Sequence, residues 1–268
     1  MLSHALIGVL AGLATEREAR HLSRYYSSGT TTVVDDVSEE CAGWRNGTRG
    51  HNGFTSQYGQ DKMLWTKFFK SRDAPGVYVD LAANHYKRLS NTFFLDRCAG
   101  WRGLCIEPNP VYHKYLRDRR SCQLVPTCVS DNRNEITIAL PDNEFSGVFG
   151  GANNGTLAIY RVGNPAKWPQ VRMRCTVLAD VFAKFALKSI DFMSLDVEGH
   201  EAAVLRGIDF DSVRIDAIQC EGGHSSACAT MLPQHGYVRV PDFFGNVRKT
   251  TCGCETILRS GPNLRITL

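Results

Sequence analysis

The sequence predicts an α/β domain built on a doubly wound, mostly parallel sheet of seven strands that ends in an antiparallel hairpin. Three observations support this prediction. From Gly76 onward, short apolar runs alternate with segments of helical periodicity, as parallel strands joined by crossover helices require. The run IDFMSL at residues 190–195 is apolar enough for a strand that is buried on both faces. Two last strand-like segments, residues 237–240 and 256–258, can close the sheet as a hairpin.

The residues before the sheet divide into two segments. Residues 1–14 are apolar and have the length of a secretory signal, but no Lys or Arg precedes the apolar run, so an amphipathic helix or a disordered end is an alternative. Residues 15–55 are rich in Ser, Thr, Gly and charge, which indicates a loosely ordered lead-in. We expect the folded domain to comprise residues 56–268 and to open with a helix in SQYGQDKMLWTKFF.

Composition excludes several classes of function. The chain of 268 residues is 43% hydrophobic and 22% charged, which is ordinary for a globular protein. A formal net charge of +4 is too small and too dispersed to indicate nucleic-acid binding. No apolar run approaches the roughly 18 residues of a membrane-spanning helix, so we expect no stable transmembrane span. Nothing in the pattern indicates an oligomeric state.

The cysteines are compatible with two localisations, the secretory pathway or Golgi lumen on the one hand and the cytoplasm on the other. Ten cysteines and the sequons at Asn46 and Asn154 favour the secretory pathway. Cys105, Cys128 and Cys220, however, fall inside predicted core strands, where a free cysteine behaves as a small apolar residue.

The elements follow in order from residue 77. The first three strands are predicted at residues 77–81, 103–107 and 124–129, with a helix at 87–98 and another capped by Asn109 and opened by Pro110. Arg117, Arg119 and Arg120 end that second helix, and we interpret them as a solvated basic face that suits the helix dipole.

The alternation is interrupted after residue 134. Strands at residues 135–140 and 171–177 flank a Gly- and Asn-rich insertion, 141–169, and insertions of this length are commonly functional. The remaining elements are a helix at 178–187, the central strand at 190–195, a helix after Gly199, a strand at 213–220, a helix at 226–235 and the closing hairpin.

Polar residues recur where the predicted parallel strands end. They are Asp80, Glu107, Ser130 with Asp131, Asp196 and Glu221. Open α/β sheets bind ligands at this edge, and acids buried there are costly unless a ligand, a metal or hydrogen-bond donors meet them. An acid that ends the second strand, as Glu107 does, accepts hydrogen bonds from ribose hydroxyls.

The turn after the first strand indicates which nucleoside binds. Pyrophosphate binding needs glycines, and the turn AANHY at residues 82–86 contains none. A ribose-binding acid without a phosphate loop favours a nucleoside that lacks phosphates, of which S-adenosylmethionine is the commonest cofactor. A nicotinamide-dependent oxidoreductase is the alternative that the missing glycines disfavour.

Four blocks together resemble the FkbM-type S-adenosylmethionine-dependent methyltransferases: SQYGQDKMLWTKFF, GVYVDLAAN, GWRGLCIEPNPVYHKYL and IDFMSLDVEGHEAAVL, in that family's order over residues 56–221. The first motif departs from the family, which shows a glycine or two after the first-strand acid. The resemblance implies a Rossmann-like methyltransferase sheet. It also implies a cofactor pocket lined by Asp80, Ala82, Asn84, Glu107, Asn109 and Ser130, with Asp196 near the transferred methyl group.

The resemblance further implies that the acceptor is a hydroxyl group of a sugar, glycan or small molecule. An aliphatic hydroxyl needs its proton removed, and the candidate bases are Asp196, Glu198, His200 and Glu221. Mg²⁺ held by Asp196 and Glu221 is an alternative way to activate the hydroxyl. A binding module that has kept the fold but lost catalysis is a further alternative.

Two residue types among the candidates also permit an ordinary structural role. His200 can cap a helix or face solvent, and His224 can be a base or a loop residue. Cys252 and Cys254 have no second matched pair of ligands, so a disulfide or an exposed hairpin is favoured over a zinc site.

Overall fold

A computed structural model describes residues 37–45, 53–139, 151–153, 156–158, 170–197, 199–220, 227–240 and 255–260. The helices are α1 (Val37–Arg45), α2 (Gln60–Leu64, continued by the π-helical turn Trp65–Phe69), a second π-helical turn (Phe94–Cys98), α3 (Pro110–Arg119), α4 (Leu178–Lys184), α5 (Glu201–Arg206) and α6 (Ala227–Met231, continued by the 3₁₀ turn Leu232–His235). The strands are β1 (Val77–Leu81), β2 (Arg102–Ile106), β3 (Gln123–Val125), β4 (Glu135–Ala139), β5 (Gly151–Asn153), β6 (Thr156–Ala158), β7 (Gln170–Arg174), β8 (Ser189–Leu195), β9 (Arg214–Cys220), β10 (Tyr237–Arg239) and β11 (Glu255–Arg259).

Seven of these strands form one sheet in the order β3-β2-β1-β8-β9-β11-β10. The first five are parallel, and β11 is antiparallel to both of its neighbours. The predicted fold class, a mostly parallel seven-stranded sheet with a terminal antiparallel hairpin, is therefore confirmed. The chain winds outward from β1 to β3 and then returns to β8 beside β1. The strand order thus reverses between β1 and β8, and ligands bind at the carboxyl ends of the strands at such a reversal.

A second sheet of four strands has the order β5-β6-β4-β7. Strands β4 and β7 pair antiparallel from Glu135 opposite Arg174 to Ala139 opposite Gln170, which confirms the predicted strands on either side of the insertion. Their apolar side chains cluster with two cysteines: the set is Cys128, Ile136, Ile138, Met173 and Cys175. This small cluster lies at the carboxyl edge of the large sheet, because Val129 forms a bridge with Thr176 just beyond β3.

One face of the large sheet carries aromatic side chains, and we call it the aromatic face. Tyr78 on β1 lies opposite Phe192 on β8, and both are completely buried. Phe192 packs against Phe69 at a centroid distance of 6.2 Å, and Phe94 lies in the same cluster. Burying one such side chain contributes about 1.5–3 kcal/mol, so this face supplies much of the driving force for folding.

All eight cysteines in the described ranges form disulfides, namely Cys41–Cys98, Cys105–Cys122, Cys128–Cys175 and Cys220–Cys228. The expectation that Cys105, Cys128 and Cys220 are free apolar residues is wrong. Each lies near a cysteine of another element, with Cα–Cα distances of 5.7, 4.6 and 6.4 Å respectively. Cys252 and Cys254 lie outside the described residues.

Helix α1 falls within the stretch that the sequence predicts as a loosely ordered lead-in. The unit that contains the sheet nevertheless comprises Val37–Leu268. Cys41 of α1 is bonded to Cys98, and Trp44 packs edge-on against Phe94 at 5.2 Å. A cross-link over 57 positions of sequence therefore attaches α1, and no local pattern reports such a contact.

Two helix starts show how local hydrogen bonds set the boundaries. The side chain of Asn109 accepts a hydrogen bond from the Val111 amide, so the predicted cap of α3 is confirmed. The predicted helix at residues 87–98 is shorter than expected, because the Ser90 hydroxyl accepts the amides of Thr92 and Phe93 and caps the segment there. In the described part of the chain, no helix has both the length and the apolar character needed to cross a bilayer.

Candidate functional site

The strand ends bring three predicted site residues side by side. Leu81 at the end of β1 pairs with Ile106 of β2 and with Leu195 of β8. The residues that follow these positions, Ala82, Glu107 and Asp196, therefore leave the sheet at the same edge and on neighbouring strands. Strands are about 4.8 Å apart, so the three residues border one crevice at the point where the strand order reverses.

Glu107 is completely buried and accepts hydrogen bonds from the turn after β1 and from the residue that precedes α3. Its Oε2 atom accepts a hydrogen bond from the Asn84 amide at 2.7 Å, and its Oε1 atom accepts one from the Asn109 amide at 2.7 Å. Burial raises the pKa of Glu107 to about 7, although these two hydrogen bonds oppose the shift. Each carboxylate oxygen keeps a second lone pair that can accept a further donor.

Asn109 adds an unused donor beside Glu107. The residue is completely buried, and its Oδ1 atom is occupied by the cap of α3. Its Nδ2 atom has no hydrogen-bond partner among the described residues. A buried amide group of this kind is normally satisfied, so the position next to Glu107 is suited to a ligand that accepts a hydrogen bond.

The turn after β1 takes a backbone conformation that favours glycine. Ala82 and Asn84 have φ angles of 55° and 54°, in the left-handed region. This region costs an alanine about 1–2 kcal/mol and asparagine less. The turn thus lacks the glycines of the family motif but keeps the backbone shape that glycines provide. Glu107 stabilises that shape through the Asn84 amide.

An apolar cleft lies next to this turn. It is open to solvent, and its walls include Ala82, Ile106, Pro108, Val129, Ile136 and Ile138. Ligand pockets typically combine apolar walls of this kind with a few polar groups. The small cluster of the second sheet therefore forms one wall of the cleft, and the end of β2 forms another.

Ser130 and His200 meet at the same cleft. His200 lines its wall, and the His200 Nε2 and Ser130 Oγ atoms are 3.1 Å apart. Both residues are buried, and burial lowers the pKa of His200. His200 precedes α5 but makes no side-chain cap there. Asp131, the neighbour of Ser130, forms an ion pair with Arg206 at 2.8 Å.

Asp80 lies inside β1 rather than after it, and its carboxylate is buried on the aromatic face. Thr92 donates a hydrogen bond to it, and the Ser194 side chain is a second partner. Burial raises the pKa of Asp80, an effect opposed chiefly by the positive charge of Arg120. The structure thus places Asp80 next to the crevice but turned into the protein.

Arg120 organises the polar groups around Asp80, and the sequence-based assignment of Arg120 to a solvated face is wrong. Its side chain is fully buried, whereas Arg117 is exposed as expected. All five of its N–H donors are used; the acceptors are Asp96, the Tyr86 carbonyl, Ser90, Tyr78 and Thr92. We call Arg120 and these partners, together with Asp80, the Arg120 cluster.

A second polar group on the aromatic face contains only one predicted site residue, Asp80. Asp80, Ser194, Gln219 and Thr256 are register partners on β1, β8, β9 and β11, and we call them the polar row. Asn91 donates to Ser194 at 3.1 Å. Gln219 and Thr256 make no side-chain hydrogen bond within the described ranges. The only signal in the sequence is a single polar residue, Gln219, in the otherwise apolar end of β9.

The remaining candidate residues are placed only in part. Asp196 directly follows β8 and is half-buried. Glu198, Glu221 and His224 lie outside the described residues and stay predictions. Among the described residues, no group of three His, Cys, Asp or Glu side chains could hold a metal ion. The alternative with Mg²⁺ on Asp196 and Glu221 therefore has no support from this part of the chain.

The comparison with protein-family models agrees with the resemblance seen in the sequence. The family model described as the methyltransferase FkbM domain matches residues 80–249. No curated protein matches the chain significantly. Among solved structures, a precorrin-6y C5,15-methyltransferase from Geobacter metallireducens GS-15 is similar at 14% identity and a TM-score of 0.37, covering 79% of this chain and 92% of its own. A human methyltransferase 10 domain containing protein is similar at 12% identity and a TM-score of 0.38, covering 86% and 99%.

Proposed function

Because this chain belongs to the FkbM methyltransferase domain family, and is thus a methyltransferase, we propose that it transfers the methyl group of S-adenosylmethionine to a hydroxyl oxygen. The acceptor hydroxyl belongs to a glycan or a small molecule. The observation that carries the proposal is the position of buried Glu107 and the unused Asn109 amide beside an apolar cleft at the reversal of strand order.

These residues fit the adenosine part of the cofactor. The ribose hydroxyls can donate to the free lone pairs of Glu107, and one of them can accept from Asn109 Nδ2. The apolar walls of the cleft suit a purine ring, since they offer dispersion contacts and few competing polar groups. His200 lies on the wall of this cleft and Ser130 Oγ is 3.1 Å from its Nε2 atom, so we assign both to the cofactor side of the site.

The charge at the edge favours a cation over a phosphate. The turn from Ala82 lacks the glycines that let backbone amides approach a phosphate closely, and Glu107 and Asp196 bring carboxylates to the same crevice. Carboxylates attract a positively charged sulfonium and repel the pyrophosphate of a nicotinamide dinucleotide. This difference supports S-adenosylmethionine over NAD.

The proposed reaction needs alignment and one base. S-adenosylmethionine supplies a methyl group on a positively charged sulfur, which is a good leaving centre. The acceptor oxygen forms a new C–O bond as the C–S bond breaks and its electron pair stays on sulfur. The hydroxyl proton must move to a base, and we assign that role to Asp196, which follows β8 and is half-buried. Glu198 and Glu221 remain further candidates for this role.

The disulfides support a location for the reaction. Four disulfides in one domain are typical of proteins that fold in an oxidising compartment. We therefore place the enzyme in the secretory pathway, where glycans are among the available acceptors.

Calorimetric titration tests the cofactor assignment. Wild-type protein is expected to bind S-adenosylmethionine and S-adenosylhomocysteine but not NADH. Glu107→Ala is expected to weaken both by about 10- to 100-fold, because a buried charged acceptor is lost. Asp118→Ala removes an exposed carboxylate of α3 and serves as the control with unchanged affinity. Binding of NADH, or unchanged affinity in Glu107→Ala, would refute the assignment.

Mass spectrometry tests the transfer. Candidate glycans and metabolites are incubated with methyl-labelled cofactor, and labelled ether products are expected. Asp196→Asn should lower turnover at least 100-fold while cofactor affinity changes less than threefold. Equal turnover in the variant would exclude Asp196 as the base.

A further inference from the structure

We propose that Asn91, Gln219 and Thr256 form a binding site for the neighbouring hydroxyl groups of a neutral carbohydrate acceptor. This inference rests on the methyl transfer proposed above and adds the residues that would select the acceptor. The site lies on the part of the aromatic face that β8, β9 and β11 form.

The register of the sheet places this site close to the reaction. Ser194 pairs with Asp80 on one side and with Gln219 on the other, and Gln219 pairs with Thr256. In-register residues on neighbouring strands point to the same face, so the four side chains form one continuous row. Ser194 lies two residues before Asp196, and Gln219 lies one residue before the end of β9.

The cofactor and the acceptor would occupy different sides of the crevice. Glu107 and the apolar cleft lie at the ends of β1 and β2. A nucleoside bound there leaves the ends of β8 and β9 for the acceptor. Ile106 lines the cleft, and it points to the face opposite that of its neighbour Cys105, the register partner of Asp80. The polar row and the cleft are thus on opposite faces of the sheet and meet only at its edge.

The hydrogen bonds of the row are incomplete at one end. Gln219 is 3% exposed and Thr256 is 1% exposed. Four buried atoms in this group have no partner within the described part of the chain: Asn91 Oδ1, Gln219 Oε1, Gln219 Nε2 and Thr256 Oγ1. Native proteins satisfy nearly all buried polar groups, so four such atoms on one patch indicate a partner other than the described residues.

The chemistry of these atoms indicates a neutral polyol. Amide oxygens of Asn91 and Gln219 accept hydrogen bonds, the Gln219 amide nitrogen donates, and the Thr256 hydroxyl does both. A hydroxyl group also donates and accepts, so adjacent hydroxyls of a sugar complement this set. None of the four atoms carries a charge, and the charged member of the row, Asp80, is a carboxylate that would repel an anion. A phosphorylated or carboxylated acceptor is therefore disfavoured.

Ligand-observed NMR on protein saturated with S-adenosylhomocysteine tests the proposal. The probes are a panel of methyl hexopyranosides and, for comparison, 1-butanol, which has one hydroxyl group. Wild-type protein is expected to bind at least one hexopyranoside and not 1-butanol. Gln219→Leu and Thr256→Val are each expected to lower that affinity at least tenfold, with S-adenosylhomocysteine affinity unchanged within twofold by calorimetry.

The control is Gln234→Leu, which makes the same substitution at an exposed position of the 3₁₀ turn and should leave sugar binding unchanged. If no hexopyranoside binds, or if Gln219→Leu binds it as wild type does, the proposal is wrong, and the row then holds ordered water only. A loss of S-adenosylhomocysteine affinity in Gln219→Leu would also overturn it, since the row would belong to the cofactor. Cofactor binding by wild-type protein is measured separately, so failure of the acceptor site is distinguishable from failure of the methyltransferase assignment.

Discussion

The Arg120 cluster and the outer half of the polar row lie on the same face of one sheet, and both consist of buried polar side chains. They differ in how completely those groups are paired. Every N–H donor of Arg120 has an acceptor, whereas Gln219 and Thr256 have no hydrogen-bond partner among the described residues. Asp80 belongs to both groups and joins them. Polar groups whose hydrogen bonds are all made stabilise one structure. Polar groups with unpaired donors or acceptors beside a crevice are available to a ligand.

Apolar substitutions in the two regions should change the free energy of unfolding with opposite signs. Removing one partner of a buried ion pair leaves the other charge unpaired and is strongly destabilising. Removing an orphaned polar group takes away a desolvation penalty of about 1–3 kcal/mol. The following predictions test this contrast, beginning with the largest effect.

Arg120→Met is expected to lower the free energy of unfolding by about 3–5 kcal/mol, because the Asp96 carboxylate would be left buried without its cation. Chemical denaturation measures the change. Arg117→Met alters an exposed residue of the same helix and should shift stability by less than about 0.5 kcal/mol. A small effect of Arg120→Met would show that the cluster is not structural.

Glu107 accepts two backbone hydrogen bonds but forms no ion pair within the described ranges, so its stability effect tests hydrogen bonding without a compensating charge. Its pKa is raised from 4.5 to about 7, so between these values the unfolded chain loses its proton first. The contribution of this group to stability is therefore full below pH 4.5 and is lost as the pH rises through 7. The expected loss is about 3 kcal/mol.

Denaturation at pH 5 and pH 8 measures this effect in wild type and in Glu107→Gln. The variant should lose most of the difference between the two pH values that is due to this group. An identical pH dependence in both proteins would contradict the raised pKa of Glu107.

Thr92→Val preserves shape but removes a hydroxyl that donates to Asp80 and accepts from Arg120. We expect a loss of about 1–3 kcal/mol in the free energy of unfolding, because two charged groups each lose a partner. Thermal denaturation checks it against Thr66→Val, an exposed position that should be neutral.

Gln219→Leu gives the smallest effect and the opposite sign. In protein without a bound acceptor substrate, the free energy of unfolding should stay unchanged or rise by about 1 kcal/mol. The reason is that the substitution removes two unpaired polar atoms and keeps the side-chain volume nearly constant. A loss of more than about 2 kcal/mol would mean that the Gln219 amide is already paired in the free protein, and the contrast between the two regions would then fail.

The sequence predicted the features that depend on neighbouring residues. The strands, the closing hairpin and the Asn109 cap follow from apolar runs, periodicity and one side-chain hydrogen bond. The position of Glu107 after β2 follows in the same way. Its position beside Ala82 and Asp196 follows from the parallel pairing of the three strands.

What the sequence did not show depends on distant partners. Arg120 resembles any basic residue at a helix end, and its burial depends on Asp96, 24 positions earlier. The partner of Cys128 lies 47 positions away. Gln219 is a single polar residue in an apolar stretch of β9. Only its register with Ser194 and Thr256 shows that it belongs to a polar row.

The bond between Cys128 and Cys175 has a practical consequence for handling the protein. Cys128 lines the cleft that we assign to the purine ring, and its partner joins β7 to that wall. Dithiothreitol, a routine additive in enzyme purification, would therefore loosen the purine site itself. We expect protein prepared from the reducing bacterial cytosol to lack this bond and to show low activity, whereas protein exported to the periplasm or secreted from eukaryotic cells should keep the wall intact.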